Sequence, residues 1–362
     1  MKKLILLFLC FTLSGCFQQK NEKTLYKAST LQAGFDTVIT LNLYDESQEK
    51  FNETFQKVGN IFLYYHQLFD KYNNYEGVNN IKTINDNAGK LPVEVEQTII
   101  DLLILAKNYS EISNNQFNVT LGPVLKLWHD VREKAEQNLE YTLPSQAELK
   151  KASVCSGWDK VEINDEENTV YLTEACASLD VGAIAKGYTT EIVGNYLMSE
   201  GYTNGFINAG GNLKFLGSKV NGDSWVAGIE TPSITEANSL VRLNLTDEVS
   251  LVTSGDYQRY FLYNDEIMHH IIDPDTLYPS RHARSVTILT KDSGVADILS
   301  TTLYTMTYQD GKTLIEELHQ YGIEAEVIWI YDTINEIQNE TYIEKNGYYI
   351  IHTPNLDLQT DY

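Results

Sequence analysis

GFINAGGNLKFLGSKVNGDSWVAGI, residues 205–229, sets three short apolar runs (205–208, 213–216 and 225–229) between glycine- and asparagine-rich breaks. Period-two runs bounded by such residues read as strands, and Asn208-Ala209-Gly210-Gly211-Asn212 reads as a tight hairpin turn. Further strand-like runs follow at 240–245, 285–289, 324–331 and 348–351. An opening strand is expected over 35–44. Apolar residues at helical spacing predict helices over 47–72, 94–113, 118–128, 146–152, 185–199, 296–306 and 311–320, and 161–172 reads as a hairpin. Because strands gather in runs and do not alternate with helices, the expected class is α+β. The expected architecture is mixed or antiparallel sheets with flanking helices, forming a single large unit of one or two closely packed lobes.

The ends and the composition narrow the setting. Lys2 and Lys3 precede an apolar run over 4–13, about half of the roughly 20 residues a spanning helix needs, so a signal peptide is expected over 1–15. Leu13-Ser14-Gly15-Cys16 resembles a bacterial lipoprotein processing site, which makes Cys16 the expected lipidated residue, 16–30 a lipid-anchored tether and 31–362 the globular domain. That predicts an exported chain held on the extracytoplasmic face of a cell membrane. Loss of Lys2 and Lys3 leaves 25 basic residues against 50 acidic ones. So acidic a chain offers no surface for a nucleic-acid backbone, and any phosphate site must be local. Cys155 and Cys176 leave two readings open, a disulfide or two buried thiols.

Several segments carry candidate chemistry. Ser178 to Tyr188 (SLDVGAIAKGY) puts an acid, glycines and Lys186 at a loop-to-helix transition, where backbone N–H groups and the lysine charge suit an anion. A capped helix with a solvated lysine explains the same residues. Thr253-Ser254-Gly255-Asp256-Tyr257 reads as a turn whose hydroxyls suit phosphate or ribose. His269 and His270 are adjacent, so on a strand one imidazole faces inward and the other outward, and one of them is a candidate base. Asp297 and Thr301 lie four apart on one helical face, hard oxygen ligands of the kind Mg²⁺ takes. Each segment taken singly also has a plain structural explanation.

In chain order these segments resemble the FAD:protein FMN transferase family (ApbE-like flavin transferases). The elements are Phe35-Asp36-Thr37, Phe69-Asp70-Lys71-Tyr72, Phe117 to Pro123 with Trp128, the 180–187 loop, 208–212, 253–257, His270 to Pro274, and Ala296-Asp297 with Thr301. The resemblance implies that Asp297, Thr301 and the main-chain carbonyl of Ala183 hold Mg²⁺, while Asp180 and Lys186 contact FAD. It implies that Phe35, Tyr72, Asn118, Val119 and Thr120 line the flavin nucleotide, that Gly210, Gly211, Thr253, Ser254 and Gly255 shape the same pocket, and that His270 sits against FAD at the reaction centre. The implied activity transfers the FMN half of FAD to a Thr or Ser hydroxyl of an exported or membrane-associated acceptor flavoprotein, releasing AMP, with His270 and Asp297 catalytic. An FAD pyrophosphatase and a non-catalytic FAD-binding lipoprotein are the competing readings.

Two positions depart from the family pattern. Phe35-Asp36-Thr37 stands where Met-Gly-Thr is usual, and Leu277 stands where the turn before Pro279 usually has glycine. A different turn is therefore expected there.

Overall fold

The computed structural model describes residues 23–360 apart from residue 237. The expected signal peptide, Cys16 and the first part of the expected tether lie outside the described residues. The chain begins with β1 (Thr24–Thr30), β2 (Ile39–Asp45) and the long helix α1 (Gln48–Phe69). A largely helical segment follows: α2 (Ile81–Asp86), the short β3 (Val93–Glu94), α3 (Gln97–Ile112), a 3-10 turn at Val119–Leu121, α4 (Gly122–Glu136) and α5 (Gln146–Ser153). The hairpin β4 (Val161–Asn164) and β5 (Thr169–Leu172) leads to α6 (Ala185–Ser199). Then come β6 (Gly205–Ala209), β7 (Asn212–Leu216), β8 (Trp225–Glu230), β9 (Ser239–Leu245), β10 (Glu248–Gly255), β11 (Tyr260–Tyr263), β12 (Glu266–His269) and β13 (Ser285–Thr290). The chain closes with α7 (Ser293–Tyr304), α8 (Tyr308–Gln320), β14 (Ala325–Tyr331), β15 (Ile343–Lys345) and β16 (Tyr348–His352).

Nine strands form one sheet in the order β1-β2-β6-β7-β10-β13-β14-β16-β15, antiparallel throughout. This is the expected α+β class. Alternation decides what covers each face. Ile39, Leu41 and Leu43 of β2 pack with Phe51, Val58 and Phe62 of α1 and with Val193 and Leu197 of α6. On the other face Phe215, Leu251, Leu289 and Ile328 pack under Trp225, Ala227 and Ile229 of β8 and their β9 neighbours. The largest core joins α3, α7 and α8 to the sheet. Among the described residues, no helix is long and apolar enough to cross a membrane.

Three local expectations change. The tether expected over 16–30 is shorter, because Thr24–Thr30 pairs in full register with β2 and turns Tyr26 and Ala28 onto the α1 core. The opening strand starts at Ile39, since Phe35 and Asp36 adopt φ of 58° and 49°, a left-handed conformation no strand accepts. Thr253 to Gly255 end strand β10 instead of forming a turn, because they pair with Thr287 to Ser285 of β13. Cys155 and Cys176 form a disulfide, with Cα atoms 5.5 Å apart.

Candidate active site

The β6–β7 turn, the end of β10, the start of α4, the α6–α7 pair and the β11–β12 hairpin surround a cavity of about 750 Å³. Phe35, Tyr72, Asn118, Val119, Asp180, Ala183, Lys186, Gly210, Gly211, Thr253, Ser254, Gly255, His270, Asp297 and Thr301 all line it. Residues drawn from the whole length of the chain thus meet at one place. Thr120 does not. It is buried behind the wall, where its hydroxyl accepts from Gly157 N–H (2.8 Å) and donates to Asn118 Oδ1 (2.6 Å), so it braces the turn that presents Asn118 and Val119.

Sheet register opens the cavity. β7 pairs with β10 only as far as Asn212 opposite Val252, so beyond that point β10 keeps β13 on one edge and turns its other edge, from Thr253 to Gly255, away from any β7 partner. The Gly210-Gly211 turn that joins β6 to β7 is forced to be glycine at its first position: φ is 58°, and a Cβ on Gly210 would overlap Thr37.

One wall is the packed pair α6–α7. A side chain at Gly187 would collide with the Ser293 carbonyl and Asp297 Cβ, so glycine lets the helices approach until Gly187 N–H donates to Asp297 Oδ2 at 2.8 Å. Asp297 is 4% exposed, with Lys186 Nζ 4.0 Å from its Oδ1. One turn on, the Thr301 hydroxyl lies 3.4 Å from Ser254 Oγ, which also bonds Ser300 Oγ at 2.9 Å and ties α7 to β10. The Asp297 carboxylate, the Thr301 hydroxyl and the main-chain carbonyl of Ala183, all on residues that line the cavity, are hard oxygen donors of the type that suits Mg²⁺. Among the described residues no three His, Cys, Asp or Glu side chains cluster as a metal cage.

A second wall joins the 70–75 turn to the 178–184 loop. Asp70 folds that turn by accepting from Tyr72 N–H, Asn73 N–H and Tyr75 O–H. The Lys71 ammonium then pairs with Asp180 Oδ2 and lies 4.8 Å from the centre of the Tyr72 ring. Asp180 Oδ1 accepts from Gly182 N–H at 3.0 Å, fixing the turn before Ala183. Burial raises the Asp180 pKa, but the Lys71 charge and these hydrogen bonds outweigh it and hold the carboxyl below its usual range.

The third wall is the hairpin. His269 ends β12 and points inward: it is 3% exposed, its Nε2–H donates to the Ser280 carbonyl (2.8 Å), and Nδ1 accepts from Ile271 N–H. That is a satisfied core histidine. His270 lines the cavity, and both its backbone N–H and its Nδ1 lie 3.2 Å from the Arg259 carbonyl. A carbonyl only accepts, so Nδ1 carries the proton and Nε2 keeps the lone pair. Desolvation within the cavity, followed by the electrostatic effect of His269, Arg259 and Lys186, holds the His270 pKa below the usual imidazole range, although the residue keeps contact with solvent. A neutral imidazole with a fixed tautomer is what a general base requires.

Leu277 adopts φ of 62°, so the turn before Pro279 takes the left-handed conformation glycine would favour and no rearrangement is needed. Its buried side chain packs with Trp128 and Ile272, and its carbonyl accepts from Trp128 Nε1 at 2.9 Å. The sequence reading assigned no role to His66, Lys71, His129, Arg132 or Arg259, all of which line the cavity. Lys71 was within reach, flanked by the assigned Tyr72; the others carry no motif.

The ApbE family model matches residues 35–326. A FAD:protein FMN transferase of Klebsiella pneumoniae is 29% identical over 296 residues, covering 80% of this chain and 85% of that protein. One of Treponema pallidum is 31% identical over 260 residues, covering 68% and 69%. The ApbE protein of Thermotoga maritima superposes with a TM-score of 0.72 at 26% identity, over 84% of this chain and 94% of that one. The Vibrio cholerae flavin transferase ApbE shares the fold at a TM-score of 0.71 and 21% identity, over 92% and 97%. Matched along most of its length in sequence and in architecture, the chain belongs to the ApbE family.

Proposed function

We propose that this chain is an FAD:protein FMN transferase that moves the FMN half of FAD onto a Thr or Ser hydroxyl of an acceptor protein and releases AMP. The observation that carries the reading is the convergence, on one cavity, of a neutral His270 with its Nε2 lone pair free and the Asp297, Thr301 and Ala183 oxygen donors. Membership of a family whose relatives bear that name supports it.

Asp297, Thr301 and the Ala183 carbonyl would hold Mg²⁺, which when bound supplies charge neutralisation to the pyrophosphate. The chain's own residues do the rest. His270 Nε2 takes the proton of the acceptor hydroxyl. The hydroxyl oxygen bonds to the FMN-side phosphorus, the phosphorus–oxygen bond to AMP breaks, and AMP leaves with the electron pair. Lys186 supplies positive charge beside Asp297, and the walls at Phe35, Tyr72 and Asn118 hold the nucleotide so that the attacking and leaving oxygens stay in line.

The acceptor belongs to the same side of the membrane as the enzyme. The apolar run over 4–13 and Cys16 support export and lipid anchoring, and the Cys155–Cys176 disulfide fits an oxidising compartment.

The test incubates the purified chain with FAD, Mg²⁺ and exported candidate acceptor domains and reads protein mass and AMP. A mass gain of one FMN with AMP release, lost when EDTA removes the metal, is the expected result. AMP and free FMN with no labelled protein would make it a pyrophosphatase, and bound intact FAD would reduce it to a carrier.

A further inference from the structure

We infer that Arg259 is a phosphate-binding residue whose guanidinium grips the FAD pyrophosphate from the hairpin wall while Lys186 approaches it from α6. The inference rests on the FAD-cleaving reading above and names a residue for it.

Four Lys and Arg side chains line the cavity. Lys71 pairs with Asp180, Lys186 lies against Asp297, and Arg132 pairs with Glu136. Arg259 has no carboxylate partner among the described residues, although the chain carries 50 acidic residues against 27 basic ones. A solvated arginine on a convex surface would call for no explanation. This one lines a concave site beside the candidate base, where an unmatched positive charge is what a polyanionic ligand uses.

Its placement is fixed by backbone. The Arg259 carbonyl accepts both His270 bonds, and Tyr260 and His269, the next residue along from Arg259 and the one before His270, pair across β11–β12. Arg259 and His270 therefore move as one body. The Arg259 charge also lies close enough to the His270 ring to disfavour its protonation, behind the larger effect of desolvation.

The chemistry calls for a cation there. As the acceptor oxygen bonds to the FMN phosphorus and the bond to AMP breaks, the acceptor proton passes to His270 and negative charge accumulates on the separating phosphates. A guanidinium presents paired N–H donors to such oxygens and needs no proton exchange to do it.

The test compares the full chain with Arg259→Gln and Arg259→Lys, titrating riboflavin, FMN and FAD by flavin fluorescence with EDTA present. Arg259→Gln should weaken FAD by roughly 10- to 100-fold, the range of a hydrogen-bonded charge, and leave riboflavin within about twofold. Arg259→Lys should recover part of the loss, and whether FMN suffers with FAD tells which phosphate is held. Equal weakening of riboflavin and FAD would make Arg259 a support for the pocket's shape and overturn the inference, as would unchanged FAD binding. A wild-type chain that binds no FAD removes the underlying reading and this inference with it, a result distinct from the other two.

Discussion

The α6–α7 wall and the β11–β12 wall face the same cavity and are built to opposite standards. On α7, Ala296, Ile298, Leu299 and Ser300 are buried around Asp297. The helix start is anchored through Glu191, which accepts from Ser293 N–H and pairs with the fully buried Lys214. The hairpin is a two-stranded ribbon whose Leu262 is 49% exposed, resting on α4 through Phe261 and Met268. It owes the setting of its one reactive side chain to a single carbonyl. Two of the three oxygens that would define a metal position, those of Asp297 and Thr301, sit on rigid helix, whereas the base, which must meet a separate protein, sits on a thin ribbon.

The largest effect should come from the rigid wall. Asp297→Ala removes the only carboxylate of the proposed metal set and should lower transfer on the order of 10⁴-fold, with FAD still bound in EDTA. Retained activity would shift the metal elsewhere and erase the contrast. On the ribbon, His270→Ala should cost roughly 10²- to 10³-fold in kcat with little change in FAD affinity. Its depressed pKa predicts that no loss of rate between pH 7 and pH 5 arises from protonating this imidazole.

The buried histidine also predicts acid sensitivity. Burial pushes His269 down to about 4 in the folded chain, against about 6.5 when unfolded. The unfolded chain therefore binds this proton first, and stability falls as pH drops from about 6.5 towards 4. His269→Gln should flatten that slope, removing up to about 3 kcal/mol of pH-dependent stability, read from urea midpoints across the window. An unchanged slope would place the acid-sensitive groups elsewhere. Gly187→Ala tests the helix contact directly. It should destabilise by about 1–3 kcal/mol and weaken Mg²⁺ binding, because α6 and α7 must part to admit a methyl group.

What the sequence revealed follows the same division. Helix α6 and the run from β6 to β9 declare themselves through local periodicity, and α6 falls at its expected bounds. The site's assembly was readable only because the motif order resembles a family. No local rule says that the 253–255 stretch completes a strand, since that depends on β13 partners thirty or more residues away. Nor does spacing reveal that Thr120 faces inward, or that Lys71 reaches Asp180. Arg259 escaped because an isolated arginine has no pattern until the fold shows what lacks a counter-charge.

Asp36 and Leu277, where this chain departs from glycine, supply the finest test. Both adopt left-handed backbone, with φ of 49° and 62°. A non-glycine residue there costs about 1 kcal/mol or somewhat more, less for Asp than for Leu, so glycine relieves strain at both positions and most at Leu277. Their side chains decide the outcome. Leu277 is 6% exposed and packed with Trp128, so Leu277→Gly forfeits burial that outweighs the relief and should lower stability by about 2 kcal/mol net. Asp36 is exposed on the cavity rim, so Asp36→Gly loses no packing and should raise stability, by up to about 1 kcal/mol. Thermal melts of the two variants should therefore move in opposite directions. If both rise, Leu277 is not held by its packing; if both fall, the Asp36 carboxylate makes a contact that offsets its strain, and its place on the rim would then mark it for a role in binding.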